Sequence, residues 1–142
     1  METRPLNDFA TTTIVETRCR NSSVGHGAVV NINADRSGGL NATITTYLER
    51  QSDGTQTLTL VTWPTSSTIK TLCTSTRLSS DYVRLRLIID TQHNVVNLHI
   101  NDEDQGAFAY STYAPSTNDR FLSAFEFTSG ADFDYIEVRV AN

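Results

Sequence analysis

The strongest constraint on this chain is a two-residue alternation that returns along most of its length. Between Tyr82 and Asp90, Val83, Leu85, Leu87 and Ile89 fall on one side, while Arg84, Arg86 and Ile88 fall on the other. Successive side chains of an extended strand point to opposite faces, so this run predicts a strand with one face in a core. The pattern recurs in Val95–Asn101, with Val96, Leu98 and Ile100 inward. It recurs in Gln56–Trp63, where Leu58 and Leu60 oppose Thr59, Val61 and Trp63. In Leu40–Glu49, Ile44, Thr46 and Leu48 oppose Thr43, Thr45 and Tyr47. Further strands are expected over Thr12–Arg20, Gly27–Ile32, Ser67–Thr74, Gly106–Tyr113, Phe121–Phe127 and Phe133–Val140. Turn signals separate them, among them Ser52-Asp53-Gly54, Thr91–Asn94 and the acidic run Asn101–Asp104. Pro64 is expected to end its strand or to mark an edge. No segment carries a sustained helical period.

Composition agrees. Thr and Ser supply 34 of 142 residues, and the branched Thr side chain favours strands over helix interiors. An unbroken succession of short strands excludes a parallel α/β sheet and predicts an all-β, two-sheet antiparallel β-sandwich. The length suits a single domain over residues 1–142. Thr43, Thr45, Thr57 and Thr59 are expected on solvated outer faces. The net charge of −5 argues against a nucleic-acid partner, which needs a clustered basic face. No apolar run approaches the ~18 residues of a membrane span. The opening Met-Glu-Thr-Arg-Pro is not a signal peptide, so the expectation is a chain not exported by that route, an excised domain, or a virion component. Ten Arg accompany a single Lys, Lys70; arginine suits bidentate hydrogen bonding and aromatic stacking, and a GC-rich genome would produce the same bias with no functional meaning.

Three stretches carry a resemblance. Val83–Asp90, Val95–Asn101 and Gln105–Phe108 together resemble a hairpin of concanavalin A-like (laminin-G-like) jelly rolls. Gly130–Val140, with Asp134-Tyr135-Ile136-Glu137-Val138, looks like the closing strand of laminarinase-type glucanases and several carbohydrate-binding modules, and Asn7-Asp8-Phe9 is similar to their opening segment. The resemblance implies a jelly roll. Asp134 shares phase with Ile136, Val138 and Val140, which points it toward the sandwich interior, and the resemblance also implies a structural calcium near the chain ends, held by Asp134 with Asp8 and backbone carbonyls. Pairing of Asp134 with an arginine is the competing reading. The glucanases' Glu-x-Asp-x-x-Glu strand is missing, and retaining hydrolysis needs paired carboxylates. A non-catalytic member is therefore expected.

Outward residues suggest the ligand. With the aliphatic positions assigned to the core, Trp63, Tyr47, Arg84, Arg86, Asn97 and His99 remain outside. Aromatic platforms with planar donors suit sugars, whose C–H faces pack on rings while their hydroxyls take directed hydrogen bonds. Tyr110 and Tyr113 form a second aromatic pair. His26, His93 and His99 stand in no nucleophile motif and read as surface residues. Cys19 and Cys73 could form a disulfide or remain buried thiols. Asn21 and Asn41 head glycosylation triplets, which arise by chance in such a chain. The expectation is a recognition module for a glycan or cell-surface polysaccharide, displayed extracellularly or on a virion surface. Its rival is a virion decoration, head-fibre or tail protein that assembles as a homo-oligomer or with other virion proteins.

Overall fold

The computed structural model describes residues 2–5, 12–25, 27–33, 44–65, 67–90, 92–111, 121–126 and 130–141. Among them lie eleven strands and no helix: β1 (Glu2–Pro5), β2 (Thr12–Asn21), β3 (Gly27–Asn33), β4 (Ile44–Arg50), β5 (Gln56–Thr65), β6 (Thr68–Leu78), β7 (Val83–Asp90), β8 (Val95–Ile100), β9 (Glu103–Ala109), β10 (Phe121–Glu126) and β11 (Ala131–Ala141). They form a six-stranded sheet, ordered β1-β10-β3-β4-β5-β6, and a five-stranded sheet, ordered β11-β2-β7-β8-β9. All named pairings are antiparallel. The protein is a β-sandwich of jelly-roll type.

Alternation builds the core as the sequence implies. Val15, Val83, Leu85, Leu87, Ile89, Val96, Leu98 and Ile100 come from the five-stranded sheet. Ala28, Val30, Ile32, Ile44, Leu48, Leu58 and Leu60 meet them from the six-stranded one. Each Val, Leu or Ile among them contributes about 1.5–3 kcal/mol of burial. Of the threonines expected on solvated faces, Thr45 departs from that role, and other threonines line the interior. Thr13, Thr17, Thr46 and Thr62 occupy core-facing positions and are buried, as is Thr45 on the outer face. A branched hydroxyl side chain fits a pleated interior where a neighbour can accept its hydrogen bond, as the Tyr135 carbonyl does for Thr17 at 2.8 Å, whereas the buried Thr13 hydroxyl has no such partner among the described residues.

Other departures concern turns. The acidic turn contains only Asn101 and Asp102, at φ +50° and +70°, while Glu103 and Asp104 already belong to β9. Two successive positive φ values make a two-residue hairpin whose twist matches its strands, and Asn and Asp tolerate that region best. β5 continues through Pro64 to Thr65, with its register against β6 irregular there. Strand β1 had no alternation to announce it. Cys19 in β2 and Cys73 in β6 are both free thiols in different sheets. Burial pushes the Cys19 thiol up to about 12.

One end of the sandwich is closed by a polar latch. The buried Gln56 side chain accepts the Asn21 N–H at 2.7 Å and donates its amide to the Ser79 and Asp81 carbonyls, both at 2.7 Å. Arg50 donates to the carbonyls of Asn21, Gly54 (2.6 Å) and Ser80 (2.7 Å). Two side chains thereby tie β2 to the β4–β5 turn and the β6–β7 connection.

Candidate functional site

The structure divides the six expected ligand-binding residues between opposite outer faces. Arg84 and Arg86 on β7, with Asn97 and His99 on β8, lie outside the five-stranded sheet. Tyr47 on β4 and Trp63 on β5 lie outside the six-stranded sheet. They do not form one site.

On the five-stranded face the planar donors are already committed. Glu137, Glu16, Arg86, His99 and Asp104 stand opposite one another in a row across all five strands. Arg86 Nε meets Glu16 Oε1 at 3.0 Å and its Nη2 meets Asp102 Oδ1 at 3.1 Å. Arg84 also pairs with Asp102, which the tight β8–β9 turn projects over the sheet. Tyr135 donates its hydroxyl to Glu16 Oε2 at 2.8 Å. Asn97 donates to Asp104 Oδ1 (3.0 Å) and the Gly106 carbonyl (2.8 Å). Arg18 and Arg20 flank Tyr82 at 4.3 and 4.7 Å from its ring centre and pair with Asp134 and Asp132. Any ligand reaching for these arginines competes with carboxylates already in place.

Glu16 is the hub of that face. Burial raises its pKa, but the hydrogen bonds from Tyr135 and Arg86 outweigh it and hold the carboxyl below its ordinary value. A carboxylate with a depressed folded pKa contributes stability above the ordinary carboxylate range, and that contribution is lost as pH falls through the lowered value. Glu16→Gln should therefore cost about 1–2 kcal/mol at pH 7. Urea unfolding should show the gap closing at strongly acid pH; a gap of constant size across that window would rule the account out.

The six-stranded face has a different chemistry. Two rows cross it: Val29, Tyr47, Thr59 and Thr74 stand opposite one another, then Asn31, Thr45, Val61 and Thr71. Trp63 lies four residues beyond Thr59 on β5. The indole Nε1–H donates to Thr45 Oγ1 at 3.0 Å, and Thr45 donates onward to Asn31 Oδ1 at 2.8 Å. This relay fixes the ring and consumes its polar edge, so what Trp63 offers a ligand is its apolar face. Tyr47 and Trp63 are half-buried, as is Thr59 opposite Tyr47, while Thr45 and Val61 between the two aromatics are buried. Burial, then the Glu49 carboxylate, raises the Tyr47 phenol above its ordinary pKa and keeps it a neutral donor. On the described outer face of β3, β4 and β5, Glu49 is the one charged residue.

Asn31 and Thr45 escaped the sequence reading because their value lies in pairing across β3 and β4. An Asn inside the apolar run Val29-Val30-Asn31-Ile32 was the available signal. Tyr110 is buried in the core, which removes it as a surface platform; Tyr113 falls outside the described residues. His93 sits in the β7–β8 turn, its Nδ1 2.8 Å from Asp90 Oδ2.

The expected orientation of Asp134 is corrected. Counting by twos from Ile136 and Val138 points it inward, but β11 is bulged between Phe133 and Tyr135. The extra residue is Asp134, which turns outward to Arg18 Nη1 at 2.7 Å. Asp8 falls outside the described residues. Among the described residues no three His, Cys, Asp or Glu side chains gather where a metal could be held. Asp134 as placed is engaged by Arg18, the competing reading of that residue. A chelator is expected to leave the melting temperature unchanged; a drop of several degrees would show an ion bound through other groups.

No protein-family model matches this chain, and no curated protein matches it in sequence. Solved structures do. Sheep galectin-11, in complex with glycerol, superposes with a TM-score of 0.65 at 12% identity over 97% of this chain and 96% of that one. A human galectin-16 variant gives 0.64 at 11% identity, over 99% and 95%. An engineered GH43 glycoside hydrolase with endo-xylanase and exo-arabinofuranosidase activity gives 0.65 at 13% identity, covering 93% of this chain but 30% of the enzyme. At these identities the likeness speaks for architecture alone: this chain shares the β-sandwich fold of those proteins.

Proposed function

We propose that this protein is a non-catalytic carbohydrate-recognition module whose ligand lies on the outer face of β3, β4 and β5. One observation carries the reading: Trp63, oriented by Thr45 and Asn31, shares an otherwise almost uncharged, hydroxyl-lined face with Tyr47. Rings offering apolar faces beside hydroxyl and amide groups match the two-sided chemistry of a sugar. The fold is shared with galectins and with part of a glycoside hydrolase, which supports a saccharide over other neutral ligands. Glycosidic hydrolysis usually takes two carboxylates flanking the scissile bond. Glu49 has no carboxylate companion among the described residues of this face, so binding without cleavage is the better reading. Display outside a cell or on a virion surface belongs to the same proposal, because such a surface meets its glycans there.

The test is binding to immobilised neutral and acidic polysaccharides, comparing the parent with Trp63→Ala and Arg86→Ala. Trp63→Ala should weaken binding at least about tenfold, equivalent to ~1.4 kcal/mol, while Arg86→Ala should leave it unchanged. Binding that needs Arg86 and ignores Trp63 would move the site to the five-stranded sheet. Absence of binding to every polysaccharide, together with stable assembly into oligomers or onto a particle, would favour the structural rival.

A further inference from the structure

Strand β6 is an open edge of the six-stranded sheet. It pairs with β5 on one side, and among the described residues no strand pairs with the other. A free edge offers a row of N–H and C=O groups to any extended chain, a second copy of itself included. The hazard is concentrated at residues 71–76, which run without charge, proline or glycine and are rich in threonine. Such a composition favours strand-to-strand stacking. Ile69, just before the run, is 49% exposed and adds apolar surface.

This edge is interrupted at both ends of the run. Lys70, the one lysine of the chain, stands opposite Thr62. Thr62 is buried and faces the core, so Lys70 holds an inner-face position at the rim of the sandwich, where it is exposed. A strand added outside β6 would extend the inner layer past that position and take water away from the ammonium, which is costly without a paired carboxylate. At the other end β6 carries an extra residue between the Leu58–Ser75 and Gln56–Leu78 pairs, and Arg77 there has a φ of +59°. Bulges and charges are the means by which edge strands avoid pairing.

We infer that Lys70 keeps the β6 edge solitary: with its charge in place the edge refuses a second copy of this chain, and without it two copies join strand to strand along residues 71–76. The saccharide reading plays no part in this inference. Net charge sharpens it. Removing a lysine makes a chain of net charge −5 more acidic still, which by itself drives copies apart. Association on loss of Lys70 therefore cannot come from weaker overall repulsion.

The experiment is sedimentation of the full chain and of Lys70→Thr, Lys70→Arg and Lys70→Glu, from micromolar to millimolar concentration. Lys70→Thr should self-associate at least about tenfold more tightly than the parent. Lys70→Arg and Lys70→Glu keep an ionised group at the position and should sediment as the parent does. Melting temperatures should agree among all four, because the side chain is exposed. Hydrogen exchange locates the contact: amides of residues 71–76 should exchange more slowly in associated Lys70→Thr than in the parent. A Lys70→Thr protein no more associated than the parent would overturn the inference. So would equal association of Lys70→Glu, or association that leaves exchange at residues 71–76 unaltered.

Discussion

Replacing Gln56 with leucine is expected to lower the unfolding free energy by about 3–5 kcal/mol, one of the two largest single-residue effects in this protein. The size follows from what is left behind. Gln56 is wholly buried, and its three hydrogen bonds satisfy the Asn21 N–H and the carbonyls of Ser79 and Asp81. Leucine fills much of the volume but strands those partners, at about 1–3 kcal/mol for each buried group left unsatisfied. For a chain of this size the melting temperature should fall by about 10 °C or more. Gln56→Glu separates hydrogen bonding from volume. Its ionised carboxylate still accepts from Asn21 but sets a second oxygen against two carbonyls. Burial and repulsion raise its folded pKa above the unfolded value. Stability that depends on the protonated form is present below the ordinary Glu value and lost as pH rises through the raised one. The Glu variant should therefore lie closer to the parent at pH 4 than at pH 7. Melting curves at the two pH values decide it, and a deficit that does not change with pH would sink the argument.

The core was legible because each sheet buries one face, and a one-sided sheet writes its orientation into the chain at period two. Val83–Ile89 and Val96–Ile100 needed no knowledge of their neighbours. The site was not legible for the complementary reason. Arg84 and Arg86 share with Tyr47 and Trp63 one local signature, an outward position in an alternating run. What separates them is sheet membership, set by non-sequential pairings such as β2 beside β7 and β10 beside β3. Nothing within ten residues of Arg86 announces that Glu16, seventy positions earlier, will hold it. Asp134 shows a second kind of loss. A single bulge inverts the parity on which its orientation was counted, and bulges leave no compositional mark in Asp132-Phe133-Asp134-Tyr135. Threonine shows a third. Alternation places Thr45 and Thr59 alike on the outer face, yet Thr45 is buried there and Thr59 is half-exposed.

The same contrast sets the second large effect. Leu60→Ala should cost about 3–4 kcal/mol, because Leu60 is fully enclosed on the inner face of β5, opposite Thr46 and Cys73. Truncation there loses the transfer energy of three carbon atoms and opens a cavity that a close-packed interior fills poorly. One residue earlier, Thr59→Ala removes a half-exposed hydroxyl and methyl from the outer face and should change stability by no more than about 0.5 kcal/mol. The functional consequences reverse. Leu60→Ala should leave saccharide affinity unchanged wherever the protein is folded, whereas Thr59→Ala removes a group directly opposite Tyr47 on the outer face and should weaken saccharide binding. Chemical denaturation and oligosaccharide titration on the same two variants therefore measure the two faces of one strand separately. Because a slip of one residue carries every side chain to the opposite face, a stability loss from Thr59→Ala equal to that from Leu60→Ala would overturn the register of β5 and, with it, the placement of Trp63.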